Sequence, residues 1–216
     1  NQLRNTLFFN RQQTRWGGEW QYAQSAHKQL LSNGFEWRRQ QENQWLLRYN
    51  FTKTINLRLQ LVRKHIDNRA DFLNDRNYSI AVRELSPEIT YQPSQRWRIA
   101  IKTTHKNKTG MLQEEKPSPE KTIFHEWRIE TKWAELLERT VTIEFKYTKV
   151  NFSGRINSPL GYEMVEALNN GHNFTWNIQL TQKILNGLQF NASYNGRKAD
   201  EQRITHIGRM QLTALF

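Results

Sequence analysis

Apolar and polar residues alternate strictly in several separate stretches of the chain. In residues 55–61 and 141–147 every odd position is apolar and every even position is polar. Residues 174–180 and 188–194 repeat the alternation with the apolar residues at even positions. A sustained period of two is the signature of a β-strand with one apolar face, and no stretch shows a convincing period of 3.6. The pattern therefore predicts strands through most of the chain.

Extended along the sequence, the alternation predicts about eleven strands, joined by connections that are alternately short and long. Short turns are expected at 52–54 and 92–95, and long polar connections at 26–36 and 105–121. This asymmetry is typical of an outer-membrane barrel, which has tight periplasmic turns and long external loops. The predicted spans are 2–10, 16–26, 37–51, 55–66, 78–91, 96–105, 122–133, 140–152, 173–181, 187–195 and 204–216.

These elements predict an all-β fold, namely an antiparallel up-and-down transmembrane β-barrel of about 11 or 12 strands. Residues 1–216 are expected to form a single barrel domain. If the last strand ends in the periplasm, counting backwards makes the first strand run inward from outside. A closed single-chain barrel with an even strand count does not begin there. We therefore expect the chain to be the C-terminal portion of a longer protein and of a larger barrel.

In such a barrel the apolar positions face lipid and the polar positions line an enclosed interior. A dry soluble core would not tolerate so many charges, whereas a hydrated lumen lets acids and bases pair. An anion-favouring lining is expected unless Glu126, Glu130 and Glu144 neutralise it, and its residues would be Arg58, Arg98, Lys102, Arg128 and Lys146. The predicted lipid-facing residues are Leu57, Leu59, Ile143, Phe145, Trp176, Ile178 and Leu212. The predicted lumen-facing residues are Arg58, Arg98, Lys102, Glu126, Arg128, Glu130, Glu144, Lys146 and Arg209.

One predicted strand, 78–91, breaks its own pattern. Tyr78 and Val82 share one parity, whereas Leu85 and Ile89 have the opposite parity. A β-bulge adds one residue to a strand and so shifts the phase of its side chains. We therefore expect a bulge near Glu84.

The chain is strongly basic, with 32 Lys and Arg, 20 Asp and Glu and a net charge of +12. This charge raises the alternative of a soluble, basic, all-β nucleic-acid-binding protein whose aromatic residues stack on bases. The basic residues are, however, mixed with acids and form no Lys/Arg tract, so we predict no nucleic-acid partner. A cationic outer surface would instead attract phosphate-bearing lipid headgroups.

Other compositional features narrow the possibilities. The chain has no cysteine, which excludes disulfides and thiol chemistry. No run of eighteen apolar residues is present, so a transmembrane helix is not predicted. The mean hydropathy of -0.87 is very hydrophilic. It fits a soluble protein, but also a membrane barrel in which only alternate residues are apolar.

Candidate catalytic and metal-binding residues are few. His65 lies near Asp67, Asp71 and Asp75, a combination of the kind that outer-membrane proteases place at the loop rim, but the spacing is unspecific. His125 has the lipid-facing parity, and no serine with a third partner sits at a matching position. No phosphate-binding glycine loop, zinc spacing or EF-hand motif is present. We therefore predict no enzymatic activity, no cofactor and no metal.

Residues 173–216, which include Asn173-Phe174-Thr175-Trp176 and 194–198, resemble the C-terminal end of large outer-membrane barrel proteins of the Bacteroidetes type. Residues 71–78 and 89–94 are also similar to that group. The resemblance implies an outer-membrane location and a barrel fold, not a substrate. The closing strand also looks like the signal read by the barrel assembly machinery, although Ala214 is small where a larger apolar residue is usual. The signal residues implied are Met210, Leu212, Ala214 and Phe216.

The sequence thus predicts an integral protein of the Gram-negative cell outer membrane, a porin-like membrane anchor or passage for transport, secretion or surface assembly. The expected partners are outer-membrane lipid and lipopolysaccharide, the barrel assembly machinery and other envelope proteins. Two alternatives stay open. One is the C-terminal fragment of a TonB-dependent receptor for nutrient uptake, which needs many more strands and a plug domain. The other is the soluble nucleic-acid-binding protein, which would not depend on detergent.

Overall fold

The protein is built almost entirely of β-strands, as the alternation predicts. No helix in the described part of the chain is both long and apolar enough to cross a membrane. A 3-10 helix (Asn74–Arg76) and a short α-helix, α1 (Pro159–Val165), lie in two of the connections. The computed structural model describes residues 1–12, 15–32, 34–112, 118–135, 138–185, 187–200 and 202–214. The strands are β1 (Gln2–Phe9), β2 (Trp16–Leu31), β3 (Gly34–Asn50), β4 (Ile55–Ala70), β5 (Tyr78–Tyr91), β6 (Trp97–Leu112), β7 (Glu120–Glu135), β8 (Arg139–Ser153), β9 (Gly171–Leu185), β10 (Leu188–Ala199) and β11 (Thr205–Ala214).

All eleven strands belong to one sheet, in the order β1 to β11. Every pair is antiparallel and joins strands that are neighbours in the chain, so the predicted up-and-down architecture is confirmed. Within the described residues, β1 pairs only with β2 and β11 only with β10. We call the end of the sheet with the β4–β5, β6–β7 and β8–β9 connections the loop end, and the opposite end the turn end.

The register of the sheet aligns apolar residues of successive strands into one continuous row. Side chains alternate between the two faces of a strand, and directly opposed residues share a face. Ile89, Ile101 and Phe145 in this row are 52%, 43% and 42% exposed. We call the face that carries the row the apolar face, and the opposite one, on which α1 lies, the helix face. The row consists of Leu57, Ile89, Ile101, Ile129, Phe145 and Trp176.

Strand β5 has no bulge near Glu84, so that prediction is wrong. Its partners on β4 follow without a shift from Tyr78 to Tyr91. Tyr78, Ile80 and Val82 lie on the helix face and are 4%, 1% and 8% exposed. The apolar residues of β5 therefore do move from the helix face to the apolar face along the strand. They can do so without a bulge because α1 covers the loop-end part of the helix face and gives Tyr78, Ile80 and Val82 an apolar environment.

The strands extend farther into the predicted long connections than the alternation indicates. Strand β2 ends at Leu31 and β3 begins at Gly34, so most of the connection expected at 26–36 belongs to the two strands. Strand β6 continues to Leu112, inside the connection expected at 105–121. In β2 the three consecutive polar residues 27–29 interrupt the alternation, although Leu30, Phe35 and Trp37 share the apolar face beyond them.

Trp176 lies across the backbone of Gly196, its directly opposed neighbour on β10. A Cβ atom at Gly196 would lie 1.9 Å from Cε2 of the indole ring. Only a residue without a side chain lets the ring cover the strand so closely, as in other aromatic-glycine pairs of sheets. Gly208 on β11 differs, since a Cβ there would meet no atom within 4 Å.

Gly196→Ala should destabilise the protein by about 1–3 kcal/mol, because its methyl group overlaps the indole ring and forces Trp176 to move. Denaturant unfolding in detergent, followed by tryptophan fluorescence, measures this change. Gly208→Ala is the matched control and should alter the free energy of unfolding by less than about 0.5 kcal/mol. Equal destabilisation by the two substitutions would contradict the described packing of Trp176.

Candidate functional site

Helix α1 is the one α-helix in the described residues, and local signals start and end it. The side chain of Ser158 accepts a hydrogen bond from the Gly161 amide at 2.9 Å, and Pro159 follows at the first helical position. This arrangement of cap and proline is a common helix start. Glu166 ends the helix in the left-handed conformation, with φ of 54°. The Ser-Pro pair could have predicted α1, but seven residues are too few to show a helical period.

The underside of α1 packs against an apolar patch of the helix face. Leu160 and Met164 are fully buried, and burial of each such side chain contributes about 1.5–3 kcal/mol. A Cβ atom at Gly110 of β6 would lie 2.8 Å from Leu160 Cδ1 and 2.9 Å from Met164 Sδ, so a glycine there lets the helix approach the sheet. The residues that surround the two side chains are Ile66, Tyr78, Ile80, Val82 and Leu112.

Glu166 holds the C-terminal end of α1 to strand β6 through two lysines. Lys106 Nζ donates to both carboxylate oxygens of Glu166, at 2.9 and 3.0 Å. Lys108 Nζ lies 2.9 Å from Oε1 of Glu166 and donates to the backbone carbonyl of Glu163 at 2.8 Å. We call Lys106, Lys108 and Glu166 the lysine latch. It fixes α1 over β6, because one carboxylate pairs with two cations whose side chains are largely buried.

Two further contacts show that the helix face is concave. Arg38 of β3 pairs with Glu163 at 2.8 Å, and Arg197 of β10 donates to the carbonyl oxygen of Ala167 at 3.4 Å. Strands are spaced about 4.8 Å apart, so a flat sheet would separate β3 from β10 by about 33 Å. A single short segment contacts both strands, which requires the sheet to curve around α1.

Below α1, toward the turn end, the helix face carries a band of ion pairs. Arg128 contacts Glu130 at 3.4 Å and also pairs with Glu144. Lys146 lies 3.4 Å from Glu126. The further pairs are Arg98 with Glu130 and Arg58 with Glu88, each at 3.9 Å.

The structure thus places all the predicted lumen residues on the helix face and brings most of them together. Lys102 lies opposite Arg128, and Arg209 lies opposite Ser193. Within the described residues, neither of these two bases has a carboxylate within 4.0 Å. The identity of this face as a lumen, and its preference for anions, stay predictions.

The predicted lipid-facing residues lie together on the apolar face. The assembly-signal prediction concerns the same face of β11, where Met210 is 83% and Leu212 61% exposed and Ala214 ends the strand. Phe216 lies outside the described residues. The residues that the register places on the apolar face are Leu57, Leu59, Ile143, Phe145, Trp176, Ile178 and Leu212.

The histidines do not form a recognisable catalytic arrangement. Ser79 Oγ lies 3.3 Å and Asp67 Oδ1 3.2 Å from the same nitrogen, Nε2, of His65. A serine-histidine-acid relay needs the hydroxyl and the acid on different ring nitrogens. His105 and His125 contact each other through their Nδ1 atoms at 3.2 Å. The described residues contain no cluster of three or more potential metal ligands of the His, Cys, Asp or Glu type.

Solved structures with a similar fold include outer-membrane proteins. The siderophore receptor PirA from Acinetobacter baumannii matches with a TM-score of 0.72 at 7% identity, over 99% of this chain. The chain spans 38% of that receptor's length. The β-domain of the Bordetella autotransporter Brka matches with a TM-score of 0.47 at 10% identity, covering 100% of this chain and 89% of the other. No protein-family model and no curated protein matches the chain. The outer-membrane β-barrel fold is confirmed, while the Bacteroidetes-type resemblance stays a prediction.

Burial raises the pKa of Glu166, but the attraction of Lys108 and Lys106 and their hydrogen bonds lower it more, so the pKa lies below its usual value. A lowered folded-state pKa stabilises the fold above the ordinary glutamate pKa of about 4.3, and this contribution is lost as the pH falls through the lowered value. The lysine latch should therefore hold at neutral pH and open in acid.

Hydrogen exchange of the amides in α1, corrected for its intrinsic pH dependence, should accelerate below about pH 4. Glu166→Gln should exchange faster than the unmodified protein at pH 7 and lose most of this acid response. Glu135→Gln, which removes a carboxylate at the turn end of β7, should leave exchange in α1 unchanged. If Glu166→Gln matched the unmodified protein at both pH values, the lysine latch would not be what holds α1.

Proposed function

We propose that the chain forms part of a closed β-barrel in the cell outer membrane, and that the barrel serves as an anchor or passage whose interior α1 narrows. The observation that carries this proposal is the placement of α1. The helix and the ion pairs share the concave face, while the exposed apolar row lies on the opposite face.

The apolar face suits hydrocarbon. A soluble protein rarely exposes one continuous apolar surface across many strands. Trp97 and Trp133 oppose each other at the turn end of the same face, and Tyr49 packs edge-on against Phe51 at 5.2 Å in the same region. Amphipathic rings at such positions favour the boundary between hydrocarbon and water. These features support a bilayer location over the soluble nucleic-acid-binding alternative.

A sheet in a bilayer cannot keep open edges, because unpaired peptide groups are too costly in hydrocarbon. Among the described strands, β1 and β11 each have one neighbour. We therefore propose that further strands of the same polypeptide close the barrel, and that residues 1–216 form its C-terminal portion. The TonB-dependent receptor alternative agrees with this, but the likeness to the siderophore receptor, at 7% identity, concerns the fold alone.

Inside the proposed barrel, glutamates pair with most of the predicted lumen bases, whereas Lys102 and Arg209 have no carboxylate within 4.0 Å among the residues described. We propose a non-enzymatic role without cofactor, with outer-membrane lipid, lipopolysaccharide, the barrel assembly machinery and other envelope proteins as partners. Passage would then depend on the space that α1 leaves beside the ion pairs. The lysine latch and Arg38 would hold the helix in the position that narrows this space.

Replacing residues 159–165 with a Gly/Ser segment of equal length should raise the single-channel conductance of the full-length protein in planar bilayers severalfold. The reason is that α1 no longer occupies the concave face. The same replacement at 92–96, a turn-end connection, should leave conductance unchanged. Heat-modifiable gel migration would verify that both variants fold. A folded α1 variant with unaltered conductance would contradict the narrowing role.

A further inference from the structure

A groove lies on the apolar face where strands β3, β4 and β5 adjoin. It encloses about 500 Å³, and Leu47, Leu61 and Leu85 form its floor. These leucines are 52%, 38% and 41% exposed. Trp45 and His105 border the groove. Its apolar floor and its size suit a hydrocarbon chain.

Two arginines, Arg63 and Arg83, line the loop-end side of the groove. They occupy directly opposed positions of β4 and β5, so both side chains leave the sheet on the same face. Within the part of the chain that the structure describes, neither has a carboxylate within 4.0 Å. Arg63 lies over the ring of Trp45, 5.9 Å from its centroid. Like charges at directly opposed positions destabilise a sheet, and an anion held between them would reverse this effect.

The groove lies at the edge of the apolar band. On the row through Leu61 and Leu85, the sheet stays apolar toward β1, with Trp45, Trp20 and Leu7, but continues toward β9 with polar and cationic residues. This row lies four residues, or about 13 Å, nearer the loop end than the continuous apolar row. Strands of a barrel are tilted, so directly opposed residues do not lie at one depth, and the change along this row shows instead that the apolar surface ends beside the groove. The residues that continue the row are His105, His125, Lys149 and His172.

We propose that this groove binds a phosphate-bearing lipid of the surrounding leaflet, with an acyl chain along the leucines and the phosphate between Arg63 and Arg83. The inference rests on the proposed function, since it takes the apolar face to meet lipid. Arginine guanidinium groups bind phosphate oxygens through paired, charge-assisted hydrogen bonds. The phosphate of a lipid would pair with the two arginines, which have no carboxylate partner among the described residues, and its acyl chain would cover the exposed leucines.

The test uses the full-length protein in phosphatidylcholine nanodiscs, with bisphosphorylated lipid A as the added probe and native mass spectrometry as the readout. The double variant Arg63→Gln/Arg83→Gln should weaken binding by about tenfold or more, a loss of at least about 1.4 kcal/mol, because both charge-assisted contacts to the phosphate are removed. The matched control, Arg39→Gln/Arg69→Gln, removes two arginines from the same face nearer the loop end. It should bind as the unmodified protein does.

Three results would overturn the proposal. The first is that the control double variant loses binding equally, and the second is that dephosphorylated lipid A binds as tightly. The third is that inorganic phosphate at matched concentration displaces the lipid, which would show that the arginines bind the free anion. Heat-modifiable migration and conductance of the Arg63/Arg83 variant are read in parallel. If the unmodified protein binds no lipid A while it and the variant insert and conduct normally, the lipid site is refuted and the proposed function is not. Failure of the unmodified protein to insert into the membrane would refute both the lipid site and the proposed function.

Discussion

Hydrocarbon offers no hydrogen-bond partner to a peptide group, so a sheet that crosses a membrane has to pair its backbone within itself. In this protein every strand from β2 to β10 is paired on both sides, and the register holds almost without irregularity. The same register decides which side chains face hydrocarbon. Because side chains alternate with a period of two, a slip of one residue in β6 would turn Ile101 to the concave face and Lys102 to the apolar face. The apolar row, the ion pairs and the seat of α1 all depend on that register.

The concave face is divided between two kinds of surface. Toward the loop end it is apolar, and α1 covers it. Toward the turn end it carries charges that pair with one another. Lys106 joins the two regions, because it contacts Glu166 beside α1 at 2.9 Å and Glu84 of β5 at 3.8 Å. Rearrangement of the ion pairs would therefore change the contact between Lys106 and Glu166 beside the helix. Displacement of the helix would leave Lys106 with Glu84 alone. The structure thus links the ion pairs of the concave face to the position of α1.

The strands and their antiparallel order were predictable from the sequence, because each has one apolar face and alternation reports that directly. Three features were not. Tyr78, Ile80 and Val82 keep the period of two but face α1, and a pattern of apolar residues does not say what covers them. Strand β2 carries three consecutive polar residues, His27, Lys28 and Gln29, so the alternation breaks there although the backbone stays paired to Leu31. The start of helix α1 is marked by Ser158-Pro159, but its position over the helix face is held by contacts with distant strands, and no local pattern records those contacts.

Accessibility of single introduced cysteines in native outer membranes tests most directly which face meets lipid. The chain has no cysteine of its own, so each introduced thiol is unique within it. Adjacent residues form the sharpest comparison, Ile101→Cys with Lys102→Cys and Phe145→Cys with Lys146→Cys. We expect a membrane-impermeant, water-soluble maleimide to label the thiols at 102 and 146 and to spare those at 101 and 145. Labelling of 101 and 145 with protection of 102 and 146, or equal labelling of all four, would contradict the assignment of the two faces.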